Sequence, residues 1–212
     1  MGGTSAAQLR LEISNMFISR TPSNYRDVVN TGILVYDTCA QFEVVFAALL
    51  LKDKGNVTTY GLEMREYETM EGFKVRPHRL LEDMRPEDED LFIVPGGQPN
   101  VIAGNELLGQ RLQEMNSRGK LLAAICGGPV HLGFAGVLKG RRFTTSVYEE
   151  WKEAFEGGTY VDEDVVQDGN IITAWPNAYA DFALTMARRM GAFIDAEEEA
   201  STIRVIREFK RS

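Results

Sequence analysis

The chain has 212 residues, of which 44% are hydrophobic and 25% are charged, and its formal net charge is -8 at pH 7. This length suits one α/β domain with short additions, and the apolar content is sufficient for a packed core and excludes wholesale disorder. The negative charge disfavours a non-specific nucleic-acid surface. No apolar run approaches the roughly 18 residues of a membrane span, and a secretory signal pattern is absent, so we expect a cytoplasmic protein with no membrane attachment.

Cysteine and histidine are scarce in this sequence. Cys39 and Cys126 lie far apart and form neither a C-x-x-C pair nor a zinc-binding spacing. Since His78 and His131 are the only histidines, we expect no metal site. The sequence also lacks a G-x-G-x-x-G fingerprint after its first predicted strand and a Walker loop, so nucleotide binding is not supported and no cofactor is expected.

Predicted strands alternate with predicted helices along the chain. Residues 1–30 are interpreted as an N-terminal extension, residues 31–194 as an α/β domain and residues 195–212 as a C-terminal helix. In chain order the predicted elements are a helix-like segment Ala6–Ile18, the strand Thr31–Tyr36, the helix Phe42–Leu51, the strand Asn56–Gly61, a hairpin of Glu63–Glu68 with Phe73–Pro77, the strand Asp90–Val94, the helix Glu106–Ser117, the strand Lys120–Ile125, a helix running toward Ala135, the short helix Tyr148–Phe155, the strands Val161–Val166 and Asn170–Thr173, and the helices Tyr179–Met190 and Ala196–Arg211.

This alternation predicts a doubly wound, mostly parallel sheet with helices on both faces. In such sheets a ligand binds outside the carboxyl ends of the strands. The segments that follow Tyr36, Val94 and Ile125 are therefore the places to look for a functional site.

The segment after Ile125 carries the most informative motif. An apolar run ends abruptly at Cys126, and Gly127, Gly128 and a proline follow before a helix-like pattern. This arrangement resembles the G-x-S-x-G nucleophile elbow, in which a sharp strand-to-helix turn exposes a reactive side chain. The helix N-terminus is expected to lower the thiol pKa and favour the thiolate. The alternative interpretation is a buried cysteine that packs as a small hydrophobic residue.

The other two segments supply a carboxylate and a glycine turn. Glu43 lies at the start of a predicted helix among apolar neighbours. It is either a partner of the helix dipole or a buried acid with a raised pKa that can move a proton. Pro95-Gly96-Gly97 is a tight turn whose backbone N–H groups could bind an oxyanion, although such a sequence is often only a turn.

Together these motifs resemble the superfamily of the PfpI intracellular proteases and the Parkinsonism-associated deglycase, which also includes isonitrile hydratases and glutaredoxin-independent glyoxalases. The resemblance covers about Thr31 to Ala192. It rests on Glu43, Ile93–Gly97, Ala123–Pro129, Gly140–Thr145 and Ile171–Pro176 followed by Asp181–Leu184. It implies a flavodoxin-like fold of the class I glutamine amidotransferase type and a homodimer. It also implies Cys126 as nucleophile, Glu43 as its carboxylic partner, and the Gly97 and Gly127 amides as an oxyanion hole.

The chain departs from this superfamily at the positions of its histidines. PfpI-type proteases have a histidine directly after the cysteine, where this chain has Gly127, and many deglycases and glyoxalases have one where this chain has Ser146. We expect His131 to have a structural or surface role and His78 to be solvated. The peptidase interpretation is weakened most, because amide cleavage needs a general acid for the leaving amine.

These observations predict a cysteine-dependent enzyme that acts on a small electrophilic molecule. The first hypothesis is an isonitrile hydratase-like lyase, since a thiol and a carboxyl group suffice for that reaction; superfamily hydratases usually use aspartate rather than glutamate. The alternatives are glyoxalase or deglycase chemistry on 2-oxoaldehydes, and a non-enzymatic oxidative-stress sensor or chaperone. The candidate oxyanion and substrate-binding residues are Gly96, Gly97, Gly127, Ser146 and Trp175.

Three further residues have open roles. Cys39 either resolves an oxidised Cys126 or is a packed thiol. Tyr148 and Trp151 either line the site or pack in the core.

Overall fold

The computed structural model describes residues 28–211. The predicted helix-like segment Ala6–Ile18 and most of the predicted extension lie outside the described residues. The strands are β1 Val29–Leu34, β2 Gly55–Gly61, β3 Tyr67–Glu68, β4 Lys74–Val75, β5 Arg79–Leu80, β6 Leu91–Val94, β7 Leu121–Ile125, β8 Arg142–Phe143, β9 Thr159–Tyr160, β10 Val165–Asp168 and β11 Ile171–Ala174. The α-helices are α1 Phe42–Lys52, α2 Glu106–Ser117, α3 Pro129–Phe134, α4 Tyr179–Arg189 and α5 Ala196–Ile206.

Seven strands form the central sheet, in the order β10-β11-β7-β6-β1-β2-β5. All neighbouring pairs are parallel except β10 and β11, which form an antiparallel hairpin at one edge. The predicted doubly wound, flavodoxin-like α/β fold is confirmed.

Helices cover both faces of the sheet, because successive residues of the buried strands point to opposite sides. On β7, Leu122 and Ala124 pack in the same cluster as residues of α2 and α3. Their neighbours Ala123 and Ile125 pack in the cluster that contains residues of α1 and α4. Each face therefore has its own apolar core.

Strand β1 is the topological switch point of the sheet, because later strands are added on both sides of it. From β1 the sheet grows outward through β2 in one direction, and through β6 and β7 in the other. The carboxyl ends of β1, β6 and β7 meet at this switch point, which is where ligands bind in open α/β sheets. The three segments singled out in the sequence are therefore brought to one crevice.

Several element boundaries differ from those predicted. The first strand is Val29–Leu34 rather than Thr31–Tyr36, because its ladder begins where Val29 pairs with Gly55. The predicted helix Tyr148–Phe155 is only a 3-10 turn over Lys152–Phe155, and the last helix ends at Ile206. Within residues 28–211, none of the helices is both long and apolar enough to span a membrane.

Candidate active site

Cys126 lies on a sharp turn between β7 and α3. Its φ angle is +61°, a left-handed conformation that is unusual for a residue with a side chain and costs about 1–2 kcal/mol. The turn is held on both sides. The Cys126 N–H donates to the Ala174 carbonyl at 2.8 Å, and the Cys126 carbonyl accepts from the Thr145 hydroxyl at 2.6 Å. The expected elbow is thus present, with a half-buried thiol at its apex.

Glu43 reaches this thiol from the first turn of α1. Its side chain is only 2% exposed, and its Oε2 accepts a hydrogen bond from the Gly96 N–H at 2.8 Å. The carboxyl group is also hydrogen-bonded to the Cys126 thiol. Burial raises the pKa of Glu43 to about 7, although the bonds from Gly96 and Cys126 oppose this shift. Of the two interpretations of Glu43, the structure shows the buried acid.

The thiol itself differs from the expectation for a helix N-terminus. Burial raises the pKa of Cys126, and the nearby charge of Glu43 raises it further. The Ser146 hydroxyl and the Gly127 N–H lower the pKa but do not outweigh burial. The predicted lowering is therefore wrong, because burial and the charge of Glu43 outweigh the groups that favour the thiolate. Cys126 and Glu43 instead compete for one proton.

The turn after β6 packs directly on this pair. A Cβ atom added to Gly96 would lie 2.5 Å from the Cβ of Cys126 and 2.5 Å from Oε2 of Glu43, so only glycine fits there. The Gly96 N–H is already donated to Glu43. Gly96 therefore orients the carboxyl group and is not free to bind an oxyanion, in contrast to the sequence-based grouping.

Gly97 and Gly127 are the two predicted oxyanion donors that remain. Gly97 has a φ of +130°, and an added Cβ would lie 2.4 Å from the Thr38 carbonyl oxygen. A Cβ on Gly127 would lie 3.1 Å from the Gly97 carbonyl oxygen, so the two glycines are neighbours. The Gly127 N–H donates to the Cys126 sulfur. Gly127 therefore lies against the thiol, and Gly97 lies beside Gly127.

Comparison with known proteins identifies the family. The family model described as DJ-1/PfpI matches residues 31–189. The chain belongs to the DJ-1/PfpI family. It is 32% identical over 146 residues to a deglycase of Pyrococcus abyssi, covering 67% of this chain and 87% of that protein. It is 31% identical over 172 residues to protein dj-1beta of Drosophila melanogaster, covering 78% and 91% of the two chains.

A solved structure of a DJ-1 protein has a similar fold. The crystal structure of Drosophila melanogaster DJ-1beta superposes with a TM-score of 0.73 at 27% sequence identity, covering 84% of this chain and 96% of that chain. The similarity extends over nearly the whole of that protein, so the DJ-1/PfpI fold accounts for most of residues 28–211.

Ser146 and Trp175 are the remaining candidate substrate-binding residues of this DJ-1/PfpI chain. The Ser146 hydroxyl lies 3.6 Å from the sulfur. Trp175 is the first residue after β11. It follows Ala174, whose carbonyl accepts the hydrogen bond from the Cys126 N–H. Its indole nitrogen is buried near the Tyr160 hydroxyl, so it points toward that ring. Ser146 is thus brought to the thiol, whereas no contact of Trp175 with the sulfur is seen.

The remaining candidates lie elsewhere. Tyr148 stacks on Tyr160 and Phe155. Trp151 packs edge-on against the ring of Phe134, so both residues have aromatic packing partners. Cys39 is buried, and burial raises its pKa to about 11, as suits a packed thiol.

Neither histidine is placed as a base for Cys126. His78 is exposed and accepts from the Thr59 N–H, whereas His131 is buried on α3. Within the described residues, no group of three or more His, Cys, Asp or Glu side chains could hold a metal ion.

Sequence reasoning missed two residues that support the site. The Tyr36 hydroxyl donates to the carbonyl of Gly96 at 2.7 Å and so fixes the glycine turn. Thr38, in a left-handed conformation with φ of +70°, accepts from the Gln98 N–H through its hydroxyl at 3.1 Å. A tyrosine at the end of an otherwise aliphatic run was the available signal, since a buried hydroxyl usually finds a partner.

Proposed function

We propose that this protein is a cysteine-dependent enzyme that acts on small electrophilic carbonyl compounds, with 2-oxoaldehydes as its first substrate class. The observation that carries the proposal is the hydrogen-bonded pair of Cys126 and the buried Glu43, whose carboxyl pKa is raised to about 7. An acid with such a pKa can both accept and return a proton near neutral pH. The deglycase named among the relatives of this chain supports the same substrate class.

The geometry suits the following sequence of steps. The Cys126 thiol gives its proton to Glu43, and the sulfur attacks the aldehyde carbon. The oxygen that gains charge would accept from the Gly97 N–H, and from the Gly127 N–H once that group turns from the sulfur, and it takes the proton from Glu43 to give a hemithioacetal. Moving the hydrogen of the aldehyde carbon to the neighbouring keto carbon converts this adduct into a thioester. Water then hydrolyses the thioester to a 2-hydroxy acid and frees the thiol.

This sequence needs no external redox partner. The aldehyde carbon is oxidised to the level of an acid while the neighbouring ketone is reduced to an alcohol, and one water is consumed. Glu43 is the group placed to move the proton between the two carbons, because it lies against the thiol and no histidine does.

A second candidate is hydration of an isonitrile. Ser146 stands where many glyoxalases have a histidine, and hydration needs only a thiol and one proton donor. Cys126 would add to the isonitrile carbon while Glu43 delivers the thiol proton to that same carbon, which gives a thioimidate. Water would then add to the C=N carbon, the nitrogen would take one proton of the water, and the thiol would leave with the other, so that isonitrile and water give an N-substituted formamide.

Turnover measurements on the reduced protein test the proposal. We expect methylglyoxal to be converted to lactate, with the activity abolished in Cys126→Ala and retained in the matched control Cys39→Ala. Glu43→Gln should lower the rate by about 10²- to 10⁴-fold, the usual contribution of a general acid–base. Consumption of isonitriles but not of 2-oxoaldehydes would favour the second candidate. Absence of turnover on either class, together with partner binding only after oxidation, would favour a sensor.

A further inference from the structure

Tyr36 follows β1, and its hydroxyl reaches the glycine turn after β6. Its side chain is 0% exposed, and its ring packs edge-on against His131 with centroids 5.9 Å apart. The hydroxyl oxygen lies 2.7 Å from the carbonyl oxygen of Gly96 and 3.2 Å from that of Pro95. The single proton is therefore shared in a three-centre hydrogen bond, in which the bond to Gly96 is the shorter. Burial raises the pKa of Tyr36, so the hydroxyl remains a donor.

The two peptide groups that Tyr36 contacts carry the N–H groups on which the proposed reaction depends. The Pro95 carbonyl shares its peptide group with the Gly96 N–H, which donates to Glu43 at 2.8 Å. The Gly96 carbonyl shares its peptide group with the Gly97 N–H, for which no acceptor is seen within residues 28–211. A peptide group is planar and trans, so a contact that fixes its carbonyl also fixes the direction of its N–H. One hydroxyl therefore bears on the direction of both N–H groups.

The hydroxyl also strengthens these N–H groups as donors. Hydrogen bonds that share a peptide group polarise one another, and each bond strengthens the next by about 10–30%. The Ala40 N–H adds a second bond to the Gly96 carbonyl at 2.9 Å. With two donors on that oxygen, the Gly96–Gly97 peptide group is held in place before a substrate arrives. Its free N–H is a preorganised donor of the kind that stabilises an oxyanion.

We propose that Tyr36 is a positioning residue for the reaction at Cys126. Its hydroxyl directs the Gly96 N–H to the carboxyl group of Glu43, and it directs the Gly97 N–H to the oxygen that gains charge. Tyr36 acts through the backbone of the glycine turn rather than by touching the substrate. This inference rests on the proposed function for the identity of the reaction, whereas the hydrogen bonds of Tyr36 do not depend on the substrate.

Two tyrosine variants form a matched pair for the test. Tyr36→Phe removes the hydroxyl and keeps the ring against His131. Tyr60 lies on the neighbouring strand β2, is 2% exposed, and donates its hydroxyl hydrogen bond to the carboxyl group of Glu89. Tyr60→Phe therefore removes a buried tyrosine hydroxyl of the same kind without touching the glycine turn.

The first measurement is a pH titration of the Glu43 carboxyl group by carbon NMR. Glutamate labelled at its carboxyl carbon supplies the signal, and Glu43→Gln identifies it by its loss. The bond from the Gly96 N–H lowers the Glu43 pKa, so its weakening in Tyr36→Phe should raise the titration midpoint by about 0.3 pH unit. Tyr60→Phe should leave the midpoint unchanged.

The other ionisable groups that interact with Glu43 are the same in both tyrosine variants. They are Cys126, Glu71 and Cys39. A difference between the two midpoints therefore reports the Tyr36 hydroxyl and not a change in a neighbouring charge.

Trifluoroacetone tests the Gly97 N–H without requiring turnover. A thiol adds reversibly to this ketone, and the oxygen of the adduct ionises readily and needs an oxyanion donor. Fluorine NMR measures the dissociation constant of the adduct, with Cys126→Ala as the blank. A complete oxyanion donor contributes about 10²- to 10³-fold, and Tyr36→Phe only misdirects one, so we expect an adduct about 10-fold weaker. With methylglyoxal as substrate, kcat should fall by a similar factor at an unchanged KM.

Two results would each overturn the proposal. The first is a Glu43 midpoint that does not change in Tyr36→Phe, or that changes equally in Tyr60→Phe. The second is a ketone adduct that Tyr36→Phe does not weaken, or that the wild type does not form. Failure of the proposed function is a different outcome: the wild type turns over no 2-oxoaldehyde, while the midpoint and the adduct still respond to Tyr36→Phe.

A fluorinated tyrosine at position 36 gives a test in the opposite direction. Fluorine next to the hydroxyl makes the phenol more acidic and a stronger hydrogen-bond donor. We expect the Glu43 midpoint to fall below that of the wild type and the ketone adduct to become tighter. The backbone amide spectrum verifies that each variant is folded, and if Tyr36→Phe does not fold, the fluorinated tyrosine decides.

Discussion

At the scale of single residues, the main feature is one proton held between a thiol and a carboxyl group. Both Cys126 and Glu43 have raised pKa values because both are buried, and each becomes harder to ionise when the other is charged. In the resting protein, burial and the charge of Glu43 therefore both oppose ionisation of the thiol, and Glu43 takes the thiol proton only as the sulfur attacks a substrate.

The two cysteines should differ in reactivity. Cys126 is half-buried at the apex of its turn, whereas Cys39 is 3% exposed and has a pKa raised to about 11. Iodoacetamide pulse labelling read by mass spectrometry should modify Cys126 first across the pH range. In Glu43→Gln, loss of the carboxylate charge should lower the Cys126 pKa and speed its alkylation at neutral pH, even though turnover falls. Equal labelling of the two thiols would contradict the elbow interpretation.

Glu43 should also make stability depend on pH. Its pKa is raised in the folded state from 4.5 to about 7, so the folded protein binds this proton more tightly than the unfolded chain. The resulting stabilisation is present below about pH 4.5 and is lost as the pH rises to about 7, a difference of about 3 kcal/mol. Urea unfolding of the wild type and Glu43→Gln at several pH values measures it. A constant difference between the two proteins would show that Glu43 does not titrate in this range.

At the scale of elements, the glycine turn after β6 should tolerate no side chain. Gly96→Ala would place a Cβ 2.5 Å from Cys126 and Glu43 atoms, so we expect loss of activity and a destabilisation of about 1–3 kcal/mol, typical of overpacking. Gly109→Ala is the matched control. Its added Cβ meets nothing within 4 Å inside a helix, and the change should stabilise the protein by up to about 1 kcal/mol. Urea midpoints and turnover rates check both, and similar results for the two variants would contradict the packing described for Gly96.

Element boundaries could be predicted where local chemistry sets them. The bounds of α2 match the sequence prediction because Asn105 caps its N-terminus by accepting from the Leu108 N–H, and Gly119 follows its end with a φ of +68°. The first strand begins two residues before its predicted start, because its ends depend on pairing with β2 and not on the apolar run alone. The two-residue strands β8 and β9 were missed for the same reason, since only their mutual pairing defines them.

The site could be predicted in part. The cysteine turn and the glycine turn are local sequence patterns, and the fold brings them together as expected. The direction of the thiol pKa could not be read from the sequence, because it depends on burial by three separate segments of chain. The lack of hydrogen-bond partners for the buried ring of His131 among the described residues could not be predicted either, since a helix position alone does not show whether a partner reaches its nitrogens.

At the scale of the whole molecule, α1 has an apolar side that the described residues do not cover. Phe42 is 46% exposed and Val45 is 49% exposed, on a helix that is apolar on almost every side. A helix of this kind is normally buried all round. The family resemblance implies a homodimer, and a second copy of the chain would bury these side chains. We therefore propose that a second copy packs on this face of α1.

Light scattering coupled to size-exclusion chromatography tests the assembly. We expect the wild type to elute with the mass of a dimer and Val45→Lys to elute as a monomer, because a buried lysine without a counter-charge opposes association. Ile194→Lys is the matched control: Ile194 is 71% exposed and lies away from α1 in the sequence, so that variant should stay dimeric. A monomeric wild type would make the dimer expectation wrong, and a dimeric Val45→Lys would move the interface to another face. Val45 is two residues from Glu43, so the proposed interface lies close to the site. Turnover by the monomeric variant would show that the Cys126 site is active without a second copy of the chain.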